Sequence, residues 1–491
     1  MSCKSFNFLT EKPSQTLNLS FSMTFSIQKR FRLVFLLLAS LLLSNCATYY
    51  QQNEAFNKSF ESGDMKMANK HLDANKKLQA NRNRVLYLVN KGALAWMQQD
   101  YTLANTYFNE ADLFIEDQRK NWGSEALAIV SNPSVKPYKP EDFENVLINY
   151  YKAIGYLQLG KNQEALVECR RVNEKLYALN DKYPRNHKNR YSDDAFAHNL
   201  MGMIYDASKD YNNAFIAYRN AYDIYKSNYS ENFGTVSPEQ LKKDILRTAK
   251  RIGFEQEYNF YSKEFGMTFE SYSKDEGEIV FIWMNGLGPV KDEWSINFAA
   301  NRGAGGILTL ANNEEGVSFP FNTNNFSSKE NAAFSNLDFI RIAFPKYRER
   351  VPLFNQALIE VDGLGQYNLE KAEDVNAIAF KCLKDRMVRE LANSILRLAT
   401  KKALEEYTRS KDETLGTLLS IANALTEKAD TRNWQTLPHG IYYARIKLAA
   451  GNHKLLLNLK SEINGEHQQE FHFNVKTGET QFFTFQNLET R

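Results

Sequence analysis

One pattern constrains this chain more than any other: three windows in its first half repeat the same residue types at nearly the same spacing. Gly92, Ala153 and Gly202 hold one small position. Trp96 (one place displaced), Tyr156 and Tyr205 follow, and then a turn: Asp100-Tyr101, Lys161-Asn162 or Asp210-Tyr211. Beyond the turn Ala104, Ala165 and Ala214 align, then Phe108, Cys169 and Tyr218, then Ala111, Val172 and Ala221. Small residues let two antiparallel helices approach closely, and aromatics fill the gap to the next helix. Such a unit cannot bury its apolar face alone, so copies must stack. From about 50 to 265 the periodicity predicts helices and few strands.

This pattern resembles the tetratricopeptide repeat. Residues 52–80, with Gly63-Asp64 and Ala68, look like a degenerate first copy, and insertions at about 118–143 and 178–193 break the regular ~34-residue period. Ser237-Pro238-Glu239-Gln240 predicts a helix start, with a capping serine, a first-turn proline and a glutamine placed to close a capping box. That helix continues through Leu241, Ile245 and Ala249 and closes the array. The resemblance implies a concave surface for a protein or peptide. The aligned residues are core; better binding candidates are Tyr150, Tyr151 and Lys152, and the run Glu168-Cys169-Arg170-Arg171. There a carboxylate sits beside guanidinium forks suited to a partner's carboxylates. A solvated helix face with local ion pairs is the commoner use of such a run.

At Gly277 the pattern changes. Ile279–Met284 is a short β-branched and aromatic run ending at Asn285-Gly286, a turn signal. Strand-like runs follow at Trp294–Ala300, Gly306–Leu310, Val317–Phe321, Phe339–Phe344, Ala357–Val361, Ile441–Leu448, His453–Leu459, Glu470–Val475 and Thr480–Phe485. Tyr443, Arg445 and Lys447 alternate with Ala444, Ile446 and Leu448 in the period of a strand. Between the strands, Leu369 to about Lys428 carries an apolar stripe at helical spacing, including Val375, Ile378, Ala379, Leu383, Leu391 and Ile395. The expected fold class is α+β: a helical repeat domain over 46–265, then a β-sandwich-like domain over 277–491 with a helical insert at 369–428.

The N-terminus carries a different message. Lys29, Arg30 and Arg32 precede an apolar core, Leu33–Leu43, and a polar exit, Ser44-Asn45, before Cys46. That is the layout of a secretory signal, and the core is far shorter than the ~20 residues a spanning helix needs. Leu43-Ser44-Asn45-Cys46 resembles the lipobox of bacterial lipoproteins, with Asn45 where Gly, Ala or Ser is usual. The resemblance implies cleavage before Cys46 and a lipid on its sulfur. Acyl chains contribute ~0.8 kcal/mol per buried methylene. A signal spanning 1–45 is complete from Met23, the expected start. No aspartate follows Cys46, which in that class favours the outer membrane, here facing the periplasm. Cleavage removes Lys4, Lys12, Lys29, Arg30, Arg32 and Glu11, so the formal charge of +3 becomes −1. A basic field for nucleic acid is thereby excluded. Cys169 and Cys382 fall singly in helical patterns and read as small buried residues, with a bond between them left open.

The chain carries no Walker loop, Gly-x-Ser-x-Gly elbow, His-Glu-x-x-His or paired Cys-x-x-Cys. His467 and His472 have odd separation, so a regular strand would point them to opposite faces. No catalytic residue, cofactor or metal is expected. Two segments stand out as ligand-contacting rims or structural corners, the corner being the commoner use. Asn285-Gly286-Leu287-Gly288-Pro289-Val290-Lys291 offers Asn285, Gly286, Pro289 and Lys291. Ala429–Pro438 offers Asp430, Arg432 and Trp434. With Pro137-Tyr138, Tyr150–Ala153 and Val167–Arg171, these segments resemble a family of poorly characterised Gram-negative lipoproteins with tetratricopeptide repeats. Cys169 stands where that family has alanine. The resemblance implies no activity, only a link by genomic company to penicillin-binding-protein activators. The expected function is a membrane-anchored, non-enzymatic envelope scaffold that binds envelope proteins through its repeat surface, with a link to peptidoglycan synthesis. The alternative is an outer-membrane glycan- or nutrient-binding lipoprotein, whose 26 Tyr and 33 Phe could stack on sugars.

Overall fold

A computed structural model of the chain describes residues 48–121, 136–181, 190–269, 276–312, 317–322, 339–361, 365–387 and 429–491. Cys46, the signal segment and residues 388–428 of the expected helical insert lie outside the described residues. The unit Thr48–Arg491 begins with helices in consecutive antiparallel pairs. These are α1 (Glu54–Glu61) with α2 (Met65–Ala74), α3 (Arg84–Met97) with α4 (Tyr101–Asn121), and α5 (Asp142–Gln158) with α6 (Asn162–Asn180). Then come α7 (Ala195–Ala207) with α8 (Tyr211–Ile224), and α9 (Glu239–Arg251) with α10 (Glu255–Phe265).

The turn inside every pair has one construction. Gly63, Gln99, Gly160, Lys209 and Gly253 all take positive φ, between 59° and 79°. This left-handed residue ends the first helix. Asp64, Asp100 and Asp210 then accept hydrogen bonds from Met67, Leu103 and Asn213 backbone amides at 2.9–3.2 Å, capping the second helix. The degenerate first copy thus shares the turn chemistry of the others. The helical part is a tetratricopeptide-like array.

Packing within a pair explains the aligned small residues. A Cβ added at Gly92 would lie 2.6 Å from the Phe108 ring, and one at Gly202 would overlap the Tyr218 ring. Where the second helix carries a ring the first carries glycine; where it carries Cys169 the first carries Ala153.

The strands form three four-stranded sheets. The first, in the order β12-β1-β9-β8, uses β1 (Glu276–Asn285), β8 (Glu370–Glu373), β9 (Gly440–Ala449) and β12 (Thr480–Gln486). The second, β11-β10-β6-β7, uses β6 (Gln356–Val361), β7 (Gly365–Asn368), β10 (Gly451–Ser461) and β11 (Gly465–Val475). The third, β4-β3-β2-β5, uses β2 (Val290–Gly303), β3 (Ile307–Asn312), β4 (Val317–Asn322) and β5 (Phe339–Arg348). In the first sheet β1 pairs in parallel with β12 and antiparallel with β9.

The first sheet is buried on both faces. Ile279, Phe281, Trp283, Ala444, Ile446 and Leu448 pack against Ile359, Val361, Leu455, Leu457 and Leu459 of the second sheet, forming the sandwich core. Val280, Ile282, Met284, Ile441 and Tyr443 instead join the core of the helical array. A strand covered on both sides needs apolar residues at every position, which is why Ile279–Met284 reads as an unbroken run.

Two details depart from the sequence reading. The expected helical insert opens with strand β8, and its helix, α11, begins only at 375 and is described to 387. Four residues of strand are too few to break an apolar stripe at helical period. The start of α9 is also capped differently. Ser237 makes no cap; the Glu370 carboxylate accepts from the Glu239 and Gln240 amides, the latter at 3.1 Å. A carboxylate at a helix N-terminus meets both unpaired amides and the positive end of the dipole. No helix among the described residues is long and apolar enough to cross a membrane. Cys169 and Cys382 are both buried and are not joined in a disulfide.

Overpacking predicts that Gly92→Ala lowers stability by about 1–3 kcal/mol. Adding Phe108→Cys, which reproduces the Ala153–Cys169 arrangement, should recover part of that loss in denaturant titration, whereas additive losses would refute the glycine–ring account.

Candidate functional site

The first helix of each pair turns its inner side to the strands, and each makes at least one polar contact there. Asn57 of α1 donates to Gln435 Oε1 at 3.0 Å. Asn90 of α3 meets Thr436 Oγ1 at 3.1 Å, and Glu144 of α5 accepts from the Trp434 amide at 2.7 Å. Asp206 of α7 pairs with Arg445 at 2.7 Å, and Asp244 of α9 lies 3.5 Å from the same guanidinium. Two second helices also reach the strand half, through the glycine gaps. The Phe108 ring lies 5.8 Å from Trp434, and the Tyr218 hydroxyl accepts from Arg445 at 2.8 Å. The inner face of the array is therefore covered by the chain's own first sheet and by residues 430–438.

The two segments singled out from the sequence meet at this joint. Gly288 N donates to Leu437 O at 2.7 Å, and His439 N to Asn285 O at 3.0 Å. Asn433 bridges them, donating to Pro289 O at 2.8 Å and accepting from Lys291 N at 3.3 Å. Arg350 clamps both, donating to Gly288 O at 2.7 Å and to Gln435 O, while its remaining nitrogen reaches Glu61 of α1 at 3.0 Å. Asn285, Gly286, Pro289, Lys291, Arg432 and Trp434 are all buried, and Asp430 is half-buried. Asp430 holds Arg432 at 2.6 Å, and Arg432 donates onward to Lys136 O at 3.0 Å and Asn83 Oδ1 at 3.1 Å. These residues make a corner that locks helices to strands.

Beneath the corner lies a charged cluster. Glu141 binds Lys291 Nζ and, at 2.6 Å, Arg386. Burial opposes its ionisation, but the two cations win and hold its carboxyl down at about 2. Its neighbour Glu144 takes the Tyr138 hydroxyl and the Glu141 and Trp434 amides, yet burial pushes its carboxyl up. A second cluster joins Arg445 of β9 to Asp206, Asp244 and Glu278, with Arg247 of α9 also on Asp206 and Asp244. There burial is overcome by the two guanidinium groups, which hold the Asp206 carboxyl well below the usual carboxylate range.

The repeat-side candidates divide. Tyr150, Tyr151, Lys152 and Glu168 are buried, whereas Arg170 and Arg171 are exposed. Lys152 pairs with Glu168 at 2.8 Å and with Asp112 at 3.3 Å, and Lys175 completes the cluster on Asp112 at 2.7 Å. Arg170 meets the Tyr205 hydroxyl at 2.7 Å. The structure brings Tyr151 to Trp434, with ring centroids 5.5 Å apart, and keeps the Lys152 cluster within α4, α5 and α6. Sequence reasoning missed Glu141, Arg350, Asp206, Arg247 and Arg445 as joint residues. Only Arg445 carried a signal, its place in an alternating strand, and alternation alone points to solvent rather than to a second layer. Among the described residues no group of three or more His, Cys, Asp or Glu side chains is placed to hold a metal.

No protein-family model matches the chain, and no curated protein matches it by sequence. Similar solved structures include MamA, at 17% identity and TM-score 0.27, covering 42% of this chain and 90% of that one. The apo form of RapI is 12% identical at TM-score 0.31, covering 44% and 68%. PilF of Pseudomonas aeruginosa is 13% identical at TM-score 0.27, covering 50% and 87%.

Breaking one partner of a buried ion pair costs about 3–5 kcal/mol. Glu141→Gln should therefore weaken the chain by that order at pH 7. Because the folded carboxyl is depressed, its contribution is present above about 4.5 and lost as pH falls towards about 2. The variant's stability deficit should shrink over that window in acid titrations followed by circular dichroism.

Proposed function

We propose that the protein is a non-enzymatic, lipid-anchored scaffold of the bacterial envelope that binds a protein partner on the outer side of its helical array. The observation that carries this reading is the distribution of exposed apolar side chains. Leu113 of α4, Val167 and Tyr177 of α6, Ile216 of α8 and Phe260 of α10 are exposed, Tyr177 at 72% and Phe260 at 62%. These five, with Met67 of α2 and Leu103 of α4, lie on the second helices, while Val236, Ile307, Val351, Phe380 and Ile463 are exposed singly elsewhere. Apolar side chains left in water mark interaction surfaces when they gather on one face, and exposed aromatics are the usual anchors of such surfaces. The scaffold reading also fits the buried charge clusters, whose carboxylates Glu141, Asp112 and Asp206 are engaged by lysine or arginine of the same chain. In this reading a lipid on Cys46 holds the scaffold at the outer membrane facing the periplasm, with peptidoglycan synthases or their activators as partners. A glycan-binding role draws less support, because Tyr150, Tyr151, Tyr191, Tyr218, Tyr225, Tyr229 and Tyr443 are fully buried and cannot stack on a sugar.

Photo-crosslinking residues placed at Tyr177 and Phe260 in membrane preparations test this. An envelope protein recovered at these positions, and absent when the reactive group sits at exposed Ile463 of the strand half, supports the reading. Equal recovery at all three positions, or none at any, overturns it. Cys46→Ser should move the chain from the membrane to the soluble fraction, and continued membrane retention would remove the anchor from the proposal.

A further inference from the structure

Among the described residues most buried carboxylates face a cation; Glu373, at the end of β8, faces none. Its Oε1 accepts from the Tyr229 hydroxyl at 3.3 Å, and its Oε2 has no hydrogen-bond partner among the described residues although the residue is fully buried. The charges acting on it among the described residues are Asp194 and Asp374, both negative. Asp194, also buried, caps α7 through the Ala197 amide at 2.7 Å and accepts from Tyr191 at 2.6 Å and from Tyr150. Tyr225 donates to the neighbouring carbonyl, Ala372 O, at 2.7 Å. Tyr225 and Tyr229 reach this point because the chain after α8 widens into a π-helix, Tyr225–Tyr229. That geometry is rare and concentrates at functional sites.

The strand that bears Glu373 is short and irregularly paired. β8 has four residues, sits at the edge of its sheet, and slips register between Lys371 and Glu373 where it pairs with β9. It is tied to the helices by the Tyr225 and Tyr229 contacts and by Glu370 on the α9 N-terminus. Its other neighbours are already engaged. Lys371 pairs with Asp374 at 2.8 Å, Asp374 caps α11, and His439 meets Glu349 at 2.9 Å beside the α11 start. Among the described residues, Cys382 of α11 lies near Tyr191, and Tyr443 of β9 and Glu370 lie near Tyr225.

We propose that Glu373 is a proton-held latch: protonated, it seats β8 and α11 against the helical array, and on ionising it leaves the tyrosine cluster and frees that strap. An uncharged carboxyl tolerates burial with one hydrogen bond at modest cost, whereas an unpaired carboxylate there, beside Asp194, does not. Burial and Asp194 push the Glu373 carboxyl well above its ordinary value, and Asp194 is raised with it, so the proton belongs to the pair. A raised carboxyl contributes stability that is whole below about 4.5 and lost as pH rises through the folded value. The strap is therefore docked in acid and released towards alkaline pH, opposite in sign to the Glu141 cluster.

Hydrogen-exchange protection factors for residues 370–387, measured on the full chain from pH 5 to 9, test the latch. Wild type should lose at least tenfold protection in this segment as pH rises, while α5 and β1 keep theirs. Glu373→Gln should hold the segment protected across the range. Tyr229→Phe, which removes the one hydrogen bond to this carboxylate among the described residues, should move release to higher pH, and it keeps the proposal testable should Glu373→Gln not fold. The same pH profile in wild type and either variant overturns it. So does recovery of protection at pH 9 on adding calcium or potassium chloride at constant ionic strength, in wild type but not Glu373→Gln, since that outcome makes the cluster a cation site.

Discussion

The inner helices of the array must be covered, and the rest of the structure follows from how the chain covers them. Every residue of α5 from Phe143 to Gly155 is buried. A helix buried all round cannot stand at the edge of an array facing water. The first sheet and residues 430–438 supply the cover, and the cover is in turn held by the helices. Trp434 illustrates the reciprocity. Its ring packs on Phe108 and Tyr151, its amide meets Glu144, and its indole nitrogen donates to Thr436 at 2.7 Å. Helices and strands are thereby parts of one packed unit rather than a repeat module with an appendage.

The glycine gaps make that unit three layers deep. An array of paired helices ordinarily keeps its outer row away from whatever lies on its inner side. Here Phe108 and Tyr218 look past Gly92 and Gly202, and both reach the strand half. The middle copy, with Ala153 and Cys169, makes no such bridge because neither side chain is long enough. The charged clusters then set register. Buried ion pairs return little net stability once their desolvation is counted. Arg445, however, can satisfy Asp206, Asp244, Glu278 and Tyr218 together only when β9 sits at one place over α7, α8 and α9.

Burial alone does not decide how a carboxylate behaves. Glu141 and Glu373 are both buried, yet one is held ionised by Lys291 and Arg386 while the other, among the described residues, faces carboxylates and tyrosines. The two clusters lie on the same molecule and respond to pH in opposite directions. The joint around Glu141 is a permanent weld under neutral conditions, and the strap around Glu373 is the part of the strand half whose docking changes with the proton.

Local physics made much of this legible in the residues. The helix pairs followed from small residues recurring at fixed offsets, their turns from Gly63-Asp64, Asp100-Tyr101, Lys161-Asn162 and Asp210-Tyr211, and the strands from short alternating or unbroken apolar runs. All of these depend on neighbours within a few positions of one another. What the sequence could not reveal depends on neighbours far apart in the chain. Glu370 caps a helix 130 residues away, Arg445 on an alternating strand faces a second layer instead of solvent, and Asn285–Lys291 meets Asp430–Pro438 as a buried corner. The sequence by itself determined which elements form, because period and turn chemistry are local. Only the tertiary structure decided that the array's inner face is filled by its own chain, because that outcome rests on which surfaces remain uncovered once the elements exist.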